Sequence, residues 1–294
     1  MLPKDSDFQE KYQKFMMERK KFNRKEFWKK RIRKLLIIYL RKIKIFNKLL
    51  SPTTFEFGEI TNQSNYFSND RIAIYTSIFG EYDNVIEPEC VPDNCDFYII
   101  TDKSIKKGSV WRPLLVNLKD YDLEDKTNVI KNRFFKMFAD KLFSKYKYSI
   151  YVDGNIKIFT DLTEFIHDMN RYGIKMHNHY RRNCVYKEID QCLLLGKDTS
   201  SNLIAHREHL VSERLPKEYG MLEAPVIVRE HHNPSCIKLM NEWWYEFSKY
   251  SKRDQISLPY VLWKNNIKVC EIALLGNDIN SNYAIKKMKH NNQD

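Results

Sequence analysis

Residues 148–159 read Tyr-Ser-Ile-Tyr-Val-Asp-Gly-Asn-Ile-Lys-Ile-Phe, an apolar, β-branched and aromatic run broken at Asp153, Gly154 and Asn155. Val, Ile and Tyr favour a pleated, buried strand, so the run predicts a strand over 148–153 that ends on a carboxylate. Glycine beside that carboxylate lets another group approach the backbone. In open α/β sheets ligands bind beyond the carboxyl ends of the strands. Asp153 and Asn155 are therefore candidate oxygen ligands for a hard cation such as Mn²⁺ or Mg²⁺, Asn155 contributing no charge. Asp-Gly is also a hairpin signal, and a plain turn satisfies the same residues.

The surrounding pattern decides the fold class. Strand-like runs at 72–78 and 97–101, a short strand at 113–117 and a helix at about 124–146 precede the strand at 148–153. A short helix at 161–170, a strand at 174–178, a helix near 185–195, a strand at 225–229 and helices at 235–249 and 254–264 follow. Strands alternating with helices imply an α/β fold with a mixed, mostly parallel sheet flanked by helices. At 294 residues, 43% hydrophobic and 14% aromatic, the chain can bury one substantial core.

The net charge of +12 is confined to one end. Residues 1–50 hold 17 Lys and Arg against 5 Asp and Glu, and the remaining residues hold 33 of each. Within that arm Trp28, Ile32, Leu35, Leu36, Tyr39 and Ile43 recur at helical spacing between lysines and arginines. This is the pattern of a basic amphipathic helix suited to an anionic membrane surface; packing in a partner's groove and an RNA-binding arm remain as alternatives. A neutral remainder argues against a large nucleic-acid footprint. The stretch 51–69, with Pro52 and several Ser, Thr and Asn, reads as a linker, and the domain as 70–294. The six cysteines form no CxxC pair and the eight histidines no HExxH, so a zinc site and a disulfide framework are both disfavoured. No secretory signal or membrane span is evident, which places the chain in the cytoplasm, peripheral at the inner membrane face.

Three motifs carry the chemistry: Tyr-Thr-Ser-Ile-Phe-Gly-Glu-Tyr-Asp from Tyr75, Ser-Ile-Tyr-Val-Asp-Gly from Ser149, and Arg253-Asp254-Gln255. Between them lie Asp102, His179-Tyr180-Arg181, Tyr186-Lys187-Glu188, the run to Arg229 and the Trp243-Trp244 pair. In this order the set, over residues 70–270, resembles the glycosyltransferase-like family of plant mucilage-associated and bacterial capsule-associated proteins. The resemblance implies a GT-A-like, Rossmann-like domain that transfers a sugar from a nucleoside diphosphate donor, UDP-sugar foremost, to a glycan or lipid-linked acceptor in surface polysaccharide synthesis. It places Asp153 and Asn155 at the family's metal motif. Thr76, Phe79, Tyr82, Asp83 and Asp102 would receive the nucleotide, and Arg133 and Lys136 would reach the diphosphate. His179, Arg181, Glu188, Arg229 and Gln255 would line the sugar and acceptor side. Asp254 is the first candidate for general base, or for orienting the donor sugar, and Glu223 the second. Each has a plainer role open to it: a turn cap for Asp102, a solvated helix face for Arg133 and Lys136, surface ion pairs for His179 and Arg181, a helix N-cap for Asp254.

Overall fold

The computed structural model describes residues 71–80 and 82–289. The basic arm and the linker lie outside them. Strands β1 (Ile72–Ile78), β2 (Cys95–Thr101), β3 (Arg112–Pro113), β4 (Tyr148–Val152), β6 (Ile174–Asn178) and β7 (Leu222–Glu230) form one sheet in the order β3-β2-β1-β4-β7-β6. β1 pairs in parallel with β2 and β4, and β2 with β3, whereas β7 runs antiparallel to both β4 and β6. The expected mostly parallel sheet is present. Reversing β7 brings its amino end, at Leu222 and Glu223, to the edge where β1, β4 and β6 end. A separate ribbon pairs β5 (Ile156–Ile158) with β8 (Ile285–Lys287).

Both faces of the sheet are covered, which is why its strands read as continuous apolar runs. Tyr75 and Tyr151 point into a core built with Phe135, Trp243, Phe247 and Leu258. Those side chains come from helices α1 (Asn128–Met137), α5 (Pro234–Lys249) and α6 (Asp254–Lys264). Ile72, Ile74, Ile150 and Val152 point the other way, onto Trp111, Leu162 and the ribbon residues Ile156 and Ile285. Helices α3 (Val185–Leu195) and α4 (Ser200–Ser212) complete the α-helical elements of the described residues together with the short α2 (Ala139–Leu142).

Several expectations need correction. The helix over 124–146 is two helices, because the carbonyls that would continue it are taken by side chains. Tyr75 Oη donates to the carbonyls of Phe135 (3.0 Å) and Lys136 (3.2 Å), and Arg229 donates to those of Lys136 and Met137. The chain turns at Phe138 (φ −105°, ψ 50°) and restarts as α2. The strand at 113–117 is limited to two residues, the helix at 161–170 is a single 3₁₀ turn at Thr163–Ile166, and α4 and the β5–β8 ribbon had no sequence counterpart. The strand expected at 225–229 begins three residues earlier. Its pairing with β6 slips between Lys175 and His177.

Candidate active site

A cleft of about 970 Å³ opens where β1, β4 and β6 end and β7 begins. Eight Lys and Arg side chains and six Asp and Glu side chains line it, so the neutral domain presents a basic face here. Asp153 follows β4 directly, its N–H donating to the Pro225 carbonyl at 2.7 Å, which fixes the strand end against β7. Gly154 lets this end pack closely: a Cβ there would come within 2.7 Å of Ile78 and 3.4 Å of Asp83. The acid at the end of β4 is thereby held against the end of β1 and the loop that follows it.

Charges from α1 and α6 meet beneath Asp153. Lys136 Nζ lies 2.8 Å from Asp254 Oδ2 and 3.4 Å from Asp153 Oδ1, with its side chain only 1% exposed. Arg133 Nε lies 3.0 Å from the same Asp254 oxygen. Tyr151 Oη donates to Asp153 Oδ1 at 2.8 Å. Burial alone would raise the Asp254 carboxyl, but Arg133, Lys136 and Arg253 outweigh it and hold the group far below the usual carboxylate range. Asp254 is not the N-cap of α6; Arg253 is, and Asp254 stands in the first turn, its carbonyl accepting from Trp243 Nε1 at 2.8 Å.

A second group of polar side chains occupies the β6–β7 side. His179 Nδ1 accepts the backbone N–H groups of Arg181 and Arg182, both at 3.2 Å, which assigns its proton to Nε2. That Nε2 lies 3.8 Å from Glu223 Oε1 and 3.9 Å from Glu188 Oε2. Glu188, on α3, also receives Arg182 Nε and the Cys192 thiol. Burial lowers the His179 imidazole against the opposing pull of the two glutamates, so the ring is neutral at neutral pH.

Of the residues expected at the site, Phe79, Tyr82, Asp83, Arg133, Lys136, Asp153, Asn155, His179, Arg181, Glu188, Glu223, Asp254 and Gln255 all line this cleft. Three do not. Thr76 is buried against a small void bounded by Val85, Trp111 and Val152. Asp102 accepts the Gly80 N–H on both oxygens, at 2.9 and 3.0 Å, and so shapes the loop after β1. Arg229 is buried under the end of α1. Asn132, Arg182, Lys197, Lys252 and Arg253 line the cleft without having been anticipated. Arg182 and Arg253 were adjacent to or inside quoted motifs; nothing in the local pattern distinguishes the others from solvated polar residues.

The oxygen ligands do not fit a resident divalent cation. Asp153 Oδ1 is already shared between a tyrosine hydroxyl and an ammonium. Among the described residues no three His, Cys, Asp or Glu side chains converge as a metal cluster. Mg²⁺ takes most of its six oxygens from waters and phosphates, so the obstacle here is the buried Lys136 ammonium, which already occupies the space between the Asp153 and Asp254 carboxylates.

No curated protein sequence matches the chain. Among solved structures, the apo bifunctional glycosyltransferase WbbM aligns with a TM-score of 0.42 and 11% identity, over 68% of this chain and 38% of its own. The galactosyltransferase LgtC, in complex with donor and acceptor sugar analogues, gives 0.39 and 9%, over 64% and 69%. Mouse xyloside xylosyltransferase 1, in its apo form, gives 0.36 and 9%, over 69% and 82%. The sequence itself matches the TOD1/MUCI70 glycosyltransferase-like domain from residue 7 to residue 290. A match over that span makes the chain a member of the TOD1/MUCI70 glycosyltransferase-like family.

Proposed function

We propose that this protein transfers a sugar from a nucleoside diphosphate donor, UDP-sugar foremost, to a hydroxyl of a glycan or lipid-linked acceptor in surface polysaccharide synthesis. The observation that carries this reading is the cleft at the carboxyl ends of β1 and β4, where Asp153 and the basic groups of α1 stand together in a glycosyltransferase-like domain. Parallel strand ends are where such sheets take nucleotides. Tyr82 and Asp83, after β1, would hold the base and ribose. Arg133 and Lys136 would face the diphosphate, and Asp153 and Asn155 the donor sugar. Trp28 and the basic residues of the arm would hold the protein at an anionic membrane surface on the cytoplasmic side.

On the acceptor side the order of the two base candidates reverses. Asp254 is bound to two cations and resists protonation, whereas Glu223 faces the cleft beside a neutral imidazole. In a direct displacement the acceptor oxygen would bond to the anomeric carbon as the bond from that carbon to the phosphate oxygen breaks. The acceptor proton would pass to Glu223, and the nucleoside diphosphate would leave with the bonding pair. His179 Nε2–H would orient that carboxylate. A thermal-shift screen of the full chain against UDP-, GDP-, CMP- and dTDP-sugars tests the donor reading. One class should raise stability by about 3 kcal/mol at a hundredfold excess over its Kd. No response to any donor would sink the reading.

A further inference from the structure

The cluster beneath Asp153 brings three cations, Lys136, Arg133 and Arg253, to one wall of the cleft. Asp254 and Asp153 are the two carboxylates in contact with Lys136. Three cations bear on Asp254: Arg133 at 3.0 Å, Lys136 at 2.8 Å, and Arg253, whose field adds to theirs. All three line the cleft. Lys136 is buried while Arg133 and Arg253 are half-buried, so an anion entering the cleft meets cationic donors that are already partly stripped of water.

The position of Lys136 is enforced from several sides. Its carbonyl accepts from Arg229 and from Tyr75 Oη, which pins the last turn of α1. Its ammonium lies 5.2 Å from the centroid of the Tyr151 ring. Its partner Asp254 is anchored through the Trp243 indole. The backbone that carries the lysine is thus fixed, and a divalent ion between Asp153 and Asp254 would have to displace a buried ammonium from both.

We infer that Lys136, with Arg133 and Arg253, is a metal-independent diphosphate clamp, an ammonium and two guanidinium groups standing in place of a divalent cation. The ligand chemistry is a pyrophosphate group, and its identification with a donor rests on the function proposed above. Fork-shaped guanidinium groups match phosphate oxygens in pairs, while the ammonium acts as a point charge. Lys136, already held between two carboxylates, would exchange part of that contact for phosphate as ligand enters.

The test is calorimetry on the full chain with two kinds of probe, inorganic pyrophosphate and a set of nucleoside diphosphates (UDP, GDP, CDP and dTDP), each in EDTA and in Mn²⁺. Pyrophosphate and one nucleotide should bind in EDTA with affinities within about threefold of those in Mn²⁺. Lys136→Met should weaken pyrophosphate by about 10- to 100-fold in EDTA. Because that change leaves two carboxylates facing each other and can cost the fold, Arg253→Gln provides the second variant, with a loss of about tenfold at wild-type thermal stability. Binding of both probes that vanishes in EDTA and returns with Mn²⁺ would overturn the clamp and leave the donor reading standing. Pyrophosphate binding in EDTA without any nucleotide binding would keep the clamp and overturn the donor reading. No binding of either probe in either condition would overturn both.

Discussion

A carboxylate held between two cations and a carboxylate beside a neutral imidazole have different chemistry, and Asp254 and Glu223 are such a pair. Converting Asp254 to Asn keeps the shape but takes from the buried Lys136 and the half-buried Arg133 the carboxylate they share, leaving Lys136 only its longer contact to Asp153. Breaking a buried ion pair by removing one partner costs about 3–5 kcal/mol. Asp254→Asn should therefore lower stability by that amount in urea unfolding; a loss below about 1 kcal/mol would show the cluster to be more hydrated than its burial indicates. Glu223→Gln removes a proton acceptor while preserving volume. Transfer should fall by about 10²-fold or more while donor affinity holds within about threefold. Wild-type turnover in the Gln variant would return the base assignment to other groups. The sequence could supply the identities of these residues but not their order, because the contacts that disqualify Asp254 reach across 118 positions to Lys136. Arg229 shows the same limit. Its strand was legible, but the helix end above it, which captures the guanidinium, was not.

At the level of elements, what was legible follows from how local the cause is. β1, β6, α3 and α6 were readable to the residue because apolar periodicity and strand chemistry settle them within a single window. The break in α1 came from Tyr75 and Arg229, on two different strands, and α4 buries only Leu203, His206 and Leu210, too thin a stripe with a histidine in it to be read. The same long-range ties make a pH prediction. His231, just past β7, donates from Nδ1 to the Phe143 carbonyl (2.9 Å) and accepts at Nε2 from Ser149 Oγ (2.7 Å), tying β7 to the turn after α2 and to β4. Burial lowers it to about 4, and burial likewise lowers His177, on β6, to about 4. An unfolded histidine titrates near 6.5, so between these values the unfolded chain binds more protons and folding stability rises with pH. The contribution is fully present above about pH 6.5 and is lost as pH falls toward 4. Each histidine should remove about 2 kcal/mol between pH 7.5 and 5. Urea melts across this window check the slope, and His231→Gln should reduce it. A flat profile would mean that both rings stay accessible to water.

Charge divides the whole molecule more sharply than any composition average suggests. The formal +12 resides in residues 1–50, while every residue of the cleft lies beyond Arg71, in a remainder with 33 basic and 33 acidic side chains. Among the described residues no helix is long and apolar enough to cross a membrane. A basic residue near an anionic bilayer contributes about 1 kcal/mol that salt screens, and an apolar stripe with Trp28 within it would add area buried at the interface. If the arm is a membrane tether, the full chain should sediment with vesicles containing phosphatidylserine, lose this as salt rises, and show a blue shift of Trp28 emission, read in a variant whose other four tryptophans are replaced by Phe. A chain starting near Asn69 should remain soluble, stay unbound to the same vesicles, and retain the donor response of the full protein, because the sheet and the cleft are built from residues beyond it. Equal vesicle binding by the shortened chain would move the lipid contact into the domain. Tight, salt-sensitive RNA binding by the full chain without a lipid response would instead assign the seventeen basic side chains of the arm to phosphates of a different kind.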